Sequence, residues 1–144
     1  MGYLHGRAVE EVVYIMVHMT NPKRIFIGSN SAVNNEGILE AAANGLGDIC
    51  IGNNVQIGPY IVINSLQHKY KDPTRAITTQ GHDHAHVMIG NDIWIGARVT
   101  ILYGSIIPDG CVIGAGSTVT RHDKLEPNCV YVGGFPLRKI GKRE

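Results

Sequence analysis

Aromatic residues and long apolar runs are scarce in this sequence. Aromatic side chains make up 6% of the 144 residues, whereas glycine occurs 18 times, a balance that suits a tightly coiled chain. No apolar stretch reaches the length of a membrane span, so no membrane insertion is expected. The start lacks the basic and apolar segments of a secretory signal. We therefore expect a single cytoplasmic domain of ordinary size.

An excess of one charge is also missing, and cysteine is rare. The 13 Lys and Arg residues are balanced by 12 Asp and Glu, for a formal net charge of +1. A face for nucleic acid or an acidic membrane would need a basic excess, so neither partner is expected. The cysteines, Cys50, Cys111 and Cys129, are odd in number and far apart. They favour reduced thiols in a reducing compartment over a disulfide framework.

What the sequence has instead is a period of six. Isoleucine or valine stands at every sixth position from 89 to 119, at Ile89, Ile95, Ile101, Ile107, Ile113 and Val119. This period fits neither an α-helix, at about 3.6, nor a plain strand, at about 2. The alternative, a sandwich, spaces its strands at about 8 to 12 residues. The repeat predicts a parallel β-helix in which one side chain per hexapeptide points inward and three hexapeptides form one triangular coil.

The same grid runs through the earlier part of the chain. Its anchors are Ile27, Val33, Leu39, Ile51, Ile57 and Ile63, and Gly45 alone breaks the apolar rule. Residues 41–48 are expected to bulge at a corner. Residues 64–88 carry no repeat and hold four of the seven histidines. A loop of this length in a compact coil is usually functional or disordered, so we predict an arm that projects from a corner.

The two ends of the chain depart from the repeat. Residues 1–24 are predicted to form an N-terminal cap, with 1–11 loose or at an edge and one strand over Val12–Met19 that covers the end of the coil. The β-helix is predicted over 25–126, with the arm inserted in it. A last strand and a basic tail are predicted over 127–144.

Four motifs carry a family resemblance: IGNNVQIGPYIVINSLQH, IGNDIWIGARVTIL, VIGAGSTVT and GGFPLRKI. Over about residues 27–140 the sequence resembles the hexapeptide-repeat acyltransferases, most closely the galactoside, maltose and nodulation-factor O-acetyltransferases and the polysaccharide acetyltransferases. The resemblance implies an all-β, left-handed parallel β-helix that forms a homotrimer with active sites between subunits. It also implies acetyl-CoA as cosubstrate and no metal. The N-terminal residues do not resemble the helical segment that helps galactoside and maltose enzymes hold their acceptor. The resemblance therefore does not identify the acceptor.

The resemblance also assigns roles to residues. His68 matches the catalytic base, and an imidazole can accept a hydroxyl proton near neutral pH. Asn34 would act near the reacting centre, where an amide can donate to an oxyanion, and Glu40 would contact the acceptor. The positions that match the coenzyme A groove are Trp94, Ala97, Ala115, Gly116, Thr120, Arg121 and Arg138. Small residues would leave the backbone open to the pantetheine arm, and arginines would meet the phosphates.

Each of these residues also has a plain structural interpretation. His68 could be a solvated loop histidine, and Asn34 could serve the turn in which it lies. The alanines and Gly116 fit tight corners whether or not a ligand binds. The arginines could be solvated surface charges.

Three further histidines alternate in the segment HDHAH. On one strand His82, His84 and His86 would face one side, and histidine clusters can bind zinc. This leaves open a zinc lyase like the γ-class carbonic anhydrases, which share the fold. Those enzymes take their ligands from separate coils and adjacent subunits, so no metal is expected on this single loop. A non-catalytic scaffold is a third possibility, and His68 together with the coenzyme motifs argues against it.

The expected function is transfer of an acetyl group from acetyl-CoA to a hydroxyl of a sugar or sugar-containing acceptor. In this hypothesis His68 deprotonates the hydroxyl, which attacks the thioester directly in a ternary complex. Transfer to an amino sugar, free or nucleotide-linked, is the alternative within the same class. The sequence does not identify the acceptor molecule.

Overall fold

The chain folds almost entirely into short β-strands. The computed structural model describes residues 13–14, 16–43 and 45–144, and the prediction that residues 1–11 are loose lies outside them. The described residues contain two 3-10 helices, Pro22–Arg24 and Ile77–Thr79. The strands are β1 (Val13–Tyr14), β2 (His18–Thr20), β3 (Ile25–Ile27), β4 (Ala32–Val33), β5 (Ile38–Glu40), β6 (Ile49–Ile51), β7 (Val55–Ile57), β8 (Val62–Asn64), β9 (Leu66–His68), β10 (His82–His84), β11 (Val87–Ile89), β12 (Ile93–Ile95), β13 (Thr100–Ile101), β14 (Ile106–Ile107), β15 (Val112–Ile113), β16 (Thr118–Val119), β17 (Cys129–Val132) and β18 (Arg138–Lys142).

Three sheets, parallel throughout except for β18, form the body of the molecule. Sheet A is ordered β1-β4-β7-β12-β15-β17-β18, sheet B is β16-β13-β8-β5-β2, and sheet C is β14-β11-β6-β3. The chain visits A, B and C in turn, so each circuit is one triangular coil. Apart from the pair β17 and β18, each strand of these sheets therefore bonds to strands one coil above or below it, and not to its neighbours in sequence. The fold is a left-handed parallel β-helix, as the hexapeptide period predicted for the β-helix and the family resemblance implied for its hand.

The repeat anchors form the core. Every anchor from Val33 to Val119 on the six-residue grid, apart from Gly45, is at most 4% exposed. Full burial of one such side chain stabilises the fold by about 1.5–3 kcal/mol. Ile27 is only partly buried, because β3 is the end strand of sheet C and has no coil beyond it. The predicted inward positions are therefore confirmed from Val33 onward.

The coils differ in length because two corners carry insertions. Ile113 lies opposite Ile95, 18 residues on, whereas Ile57 lies opposite Val33, 24 residues on, and Ile95 lies opposite Ile57, 38 residues on. The six extra residues lie between β5 and β6, which confirms the bulge at 41–48. Gly45 is thus not an inward position of a coil. The anchors before and after the bulge keep the same six-residue period because the insertion is one hexapeptide long.

The predicted arm is a β-hairpin. β9 and β10 pair antiparallel with each other, and the Ala85 amide donates to the Ser65 carbonyl at 3.1 Å at the base. The arm runs over residues 65–86, because β8 ends at Asn64 and β11 begins at Val87.

Both ends of the coil differ from the sequence prediction. The single strand expected over Val12–Met19 is wrong: Met16, with φ of 54°, turns the chain, so β1 lies in sheet A and β2 in sheet B. The basic tail is also more ordered than expected, since β18 folds back antiparallel on β17. No helix in the described ranges is long and apolar enough to cross a membrane.

Candidate active site

A groove runs along the corner between sheets A and B. It has a volume of about 490 Å³ and is lined by Pro59, Tyr60, Ala97, Arg98, Ala115 and Gly116. The lining comes from three consecutive coils. Backbone hydrogen bonds join these coils, since the Gly58 amide donates to the Ile95 carbonyl and the Gly96 amide donates to the Ile113 carbonyl. The structure thus brings together three residues predicted for the coenzyme, Ala97, Ala115 and Gly116.

Glycine makes the close stacking of this corner possible. A Cβ on Gly96 would lie 2.5 Å from the Ala115 amide nitrogen, and one on Gly58 would lie 2.7 Å from that of Ala97. Neither distance is compatible with a side chain. The glycine that follows an anchor therefore lets successive coils approach and leaves a shallow, small-residue surface on the outside.

Tyr60 and Arg98 line the groove but were not predicted from the sequence. The Arg98 guanidinium lies over the Tyr60 ring, 5.5 Å from its centroid, an attractive cation–π arrangement. Both residues stand three positions after a sheet A anchor, as Gly116 does, and all three have positive φ. Comparing the same position in each coil could have found them.

The other predicted coenzyme residues lie outside this groove. Trp94 is 61% exposed on the outer face of sheet A, with Gln56 and Val112 as its register neighbours. Arg138 lies on β18 opposite Val132. A single chain therefore does not gather the predicted coenzyme set into one pocket.

Thr120 and Arg121 lie at the next corner, between sheets B and C. The Thr120 amide and hydroxyl both donate to the Asp123 carboxylate, at 2.7 and 2.8 Å, so Thr120 is engaged in the turn. The Arg121 guanidinium lies 4.8 Å from the centroid of the Tyr103 ring. This is the corner from which the arm leaves the coil.

His68 is exposed near the base of the arm, on β9. Its register partner across the hairpin is His82, and the two ring centroids are 4.4 Å apart with planes inclined at 43°. The condition under which His82, His84 and His86 would share one side is not met, because β10 ends at His84. The His86 Nδ1 instead accepts a hydrogen bond from the Asp48 amide at 3.0 Å. Among the described residues, no three His, Cys, Asp or Glu side chains form a group that could hold a metal ion.

Asn34 and Glu40, the predicted acceptor residues, lie in different places. Asn34 is exposed at the corner between sheets A and B, one coil before the groove, and its Oδ1 accepts the Asn35 amide at 2.7 Å. Glu40 Oε2 accepts a hydrogen bond from the Asn64 side chain at 3.2 Å. Asn64 Oδ1 in turn accepts the Leu66 amide at 2.9 Å. Glu40 is therefore linked to the base of the arm.

Comparison with known proteins agrees with this architecture. The model of the bacterial transferase hexapeptide (six repeats) family matches residues 86–121. Chloramphenicol acetyltransferase of Agrobacterium fabrum (strain C58 / ATCC 33970) is 29% identical over 143 residues, which cover 99% of this chain and 63% of that protein. The chain thus spans less than two thirds of that relative's length.

Two solved structures are also similar. The maltose O-acetyltransferase from Clostridium difficile 630 superposes with a TM-score of 0.80 at 32% identity, over 95% of this chain and 69% of that one. A galactoside acetyltransferase in complex with coenzyme A superposes with a TM-score of 0.76 at 32% identity, over 92% of this chain and 62% of that one. The chain belongs to the hexapeptide-repeat acetyltransferases, and the family resemblance of the sequence is confirmed.

Proposed function

We propose that this protein transfers the acetyl group of acetyl-CoA to a hydroxyl of a sugar or sugar-containing acceptor, with His68 as the general base. The observation that carries the proposal is the groove between sheets A and B, because it gathers Ala97, Ala115 and Gly116, the positions that match the family's coenzyme site. A related galactoside acetyltransferase was solved with coenzyme A, and another relative of similar fold is a maltose O-acetyltransferase.

The donor side relies on small side chains and positive charge. In the proposal the pantetheine arm lies along the groove, where Ala97 and Ala115 leave the main chain accessible to its amides. Arg121 and Arg138 contact the phosphates, since a guanidinium can bind a phosphate through two hydrogen bonds. Trp94 and Thr120 stay assigned to the coenzyme by resemblance.

On the acceptor side His68 supplies the base. Its imidazole takes the hydroxyl proton while the oxygen bonds to the thioester carbonyl carbon. The carbon–sulfur bond then breaks, and the proton passes to the departing thiolate, so the products are an acetyl ester and coenzyme A. Asn34 is proposed to stabilise the reacting centre and Glu40 to contact the acceptor. The proposed steps need no metal.

The positions of the groove and of His68 favour a site shared between subunits. The groove lies at one end of the sheet B strands, and the arm leaves the coil at the other end, so one chain holds its base away from its own groove. Cyclic symmetry can bring the arm of one copy to the groove of the next. We therefore include a homotrimer in the proposal.

The proposal is tested by measuring thiol release from acetyl-CoA with a panel of acceptors. The panel should contain free sugars, nucleotide sugars, glycolipid precursors and amino sugars, together with chloramphenicol, because one relative is named for it. Mass spectrometry of the product distinguishes an ester from an amide. The result expected is an ester formed on a sugar hydroxyl; an amide on an amino sugar would assign N-acetylation instead.

His68→Ala tests the base directly. General base catalysis contributes about 100- to 10,000-fold, so turnover should fall at least 100-fold, while acetyl-CoA affinity and melting temperature stay close to those of the parent. His18→Ala, which removes an exposed imidazole from β2, is the matched control and should keep normal turnover. A folded His68→Ala protein with near-normal turnover would rule out the proposed mechanism.

A further inference from the structure

The face of the arm that carries His68 contains a second imidazole in direct contact with it. We propose that His82 is a positioning residue that holds the His68 ring in its reactive orientation. The inference rests on the proposed function, because it concerns the base of that reaction. Nothing in the family resemblance assigns a role to His82.

The register of the hairpin places the two rings together. The Lys69 amide donates to the Gly81 carbonyl, and the Ala85 amide to the Ser65 carbonyl. Hydrogen-bonded and non-hydrogen-bonded pairs alternate along an antiparallel ladder, so His68 and His82, one step from Lys69 and Gly81, form a non-hydrogen-bonded pair. Facing side chains come closest in such pairs. The ring centroids accordingly lie 4.4 Å apart, at the close end of the separations of about 4.5–7 Å that are usual for contacting rings.

This contact is what restrains the His68 ring. A catalytic imidazole is ordinarily oriented by a hydrogen bond from its second nitrogen to a carboxylate or carbonyl. Among residues 16–43 and 45–144, neither the His68 ring nor the His82 ring makes a hydrogen bond. Packing between the two rings therefore orients His68 in place of a hydrogen bond. His84 lies farther along the same face, with its ring centroid 6.3 Å from that of His82.

The charged residues nearest the imidazole pair, Lys69 and Asp83, lie on the other face of the hairpin. Side chains alternate across a strand, which puts Gln67 and Asp83 opposite the imidazole face. Lys69 Nζ approaches Asp83 Oδ1 at 3.9 Å, in keeping with a place on that second face. Within β9 and β10, the imidazole face therefore offers His68 a ring partner and no carboxylate.

A ring held only by packing should be sensitive to loss of its partner. Removal of the His82 ring frees rotation of the His68 side chain, so a smaller fraction of molecules presents the ring nitrogen to the acceptor. Misplacement of a catalytic group by about 1 Å can lower the rate by as much as about 100-fold. Because the contact orients the base and His82 is not among the residues assigned to the coenzyme, turnover should fall while the KM for acetyl-CoA stays the same.

The experiment compares His82→Ala with His82→Phe. The alanine variant should lower kcat roughly tenfold without changing the KM for acetyl-CoA. The phenylalanine variant keeps a ring against His68 and should recover most of the turnover. His84→Ala, which removes the next imidazole along, is the matched control and should be close to the parent. Nuclear Overhauser contacts between the two rings should be present in the parent protein and should disappear in His68→Ala.

The outcomes separate this inference from the proposed function. Normal kcat in a folded His82→Ala protein would overturn the positioning role, and so would equal losses in the alanine and phenylalanine variants, since packing would then not be the cause. A raised KM for the acceptor with unchanged kcat would make His82 an acceptor contact instead. If His68→Ala itself retains turnover, the proposed function fails first, and the ring contacts alone then decide whether the two imidazoles pack in solution.

Discussion

The three thiols occupy two kinds of environment. Cys111 and Cys129 are fully buried, whereas Cys50 is half-buried on sheet C; none forms a disulfide. Burial raises the pKa of the Cys111 thiol. Burial and then the nearby Asp48 carboxylate raise the pKa of Cys50, with Arg24 acting in the opposite direction. Only the thiolate is strongly nucleophilic, so both effects slow reaction with electrophiles at neutral pH.

We predict that one thiol reacts in the native protein. With an aromatic disulfide reagent, Cys50 should react more slowly than a free cysteine at pH 7 and faster as the pH rises, since its raised pKa shifts thiolate formation upward. Cys111 and Cys129 should react only after denaturation. Cys50→Ser should abolish the native reaction. Rapid labelling of two or three thiols in folded protein would contradict the buried environment of the other two.

A second prediction concerns the two arginines assigned to the coenzyme. Replacing Arg121 and Arg138 with alanine should raise the Kd for acetyl-CoA by roughly tenfold or more, because each charge-assisted hydrogen bond contributes about 1.5–3 kcal/mol. The affinity of the parent should also weaken with added salt if the contacts are exposed. Calorimetry measures both.

The matched control is the double variant of Lys124 and Lys142 to alanine. It removes two exposed cations and changes the net charge equally. If both double variants bind acetyl-CoA with the same reduced affinity, general electrostatics and not specific contact explains the loss. Unchanged affinity in the arginine variant would remove both residues from the site.

At the scale of elements, the strands of the arm are separate from the sheets of the coil. β9 and β10 pair only with each other, while β8 and β11 on either side are held by sheets B and C. The pair Ser65 and Ala85 at the base is already hydrogen-bonded. Hydrogen bonds between arm and coil come from the two ends of the arm: the Ser65 amide donates to the Glu40 carbonyl, and His86 Nδ1 accepts from the Asp48 amide.

This separation predicts the effect of deleting the arm. Replacing residues 66–84 by Gly-Gly gives a two-residue hairpin connection of a common kind. The melting temperature and circular dichroism spectrum of the variant should stay close to those of the parent, while acetyl transfer should be lost with His68. A variant that fails to fold would show that the arm contributes to the stability of the coil.

Most of the coil could be predicted from the sequence because its determinants are local. The position of a residue within its hexapeptide determines whether its side chain points inward, so the burial of Ile89 or Ile113 follows from its place in the period. The bulge between β5 and β6 was harder to interpret, because an insertion of one hexapeptide leaves the grid in phase and only Gly45 marks it. β18 was missed because pairing across the turn at Gly133 leaves no period in RKIGK.

The candidate site was less predictable because it depends on where strands end and which corner a residue occupies. Ala97, Ala115 and Gly116 come together since they share one corner. Arg121, close to Gly116 in sequence, lies at the next corner because β16 intervenes. His86 leaves the face of His82 because β10 stops two residues earlier, and nothing in the alternating HDHAH pattern marks that stop.

At the scale of the whole molecule, the two corners of the site constrain how copies can assemble. If each chain lends His68 to one neighbour and its groove to the other, both ends of sheet B lie at interfaces. Around a threefold axis sheet B must then face the axis, and the outer face of sheet C must point away from it.

We therefore predict a homotrimer that depends on sheet B. Light scattering of the parent protein should give three times the chain mass. Thr100→Arg, on the outer face of sheet B, should shift the protein to monomers, because three like charges would meet near the axis. Met88→Arg, on the outer face of sheet C, should remain trimeric. A monomeric parent at working concentration, or a trimer lost with Met88→Arg alone, would contradict this arrangement.

The pairing of strands between successive coils has a consequence for how such a protein can evolve. A segment added at a corner interrupts no backbone ladder, and the entropy of closing it grows slowly, by only about 0.6 kcal/mol for each doubling of its length. The length and composition of the arm are thus open to mutation while the stacked corners that form the groove stay as they are. In an enzyme built this way, specificity for the acceptor can evolve while the site for the acyl donor stays unchanged.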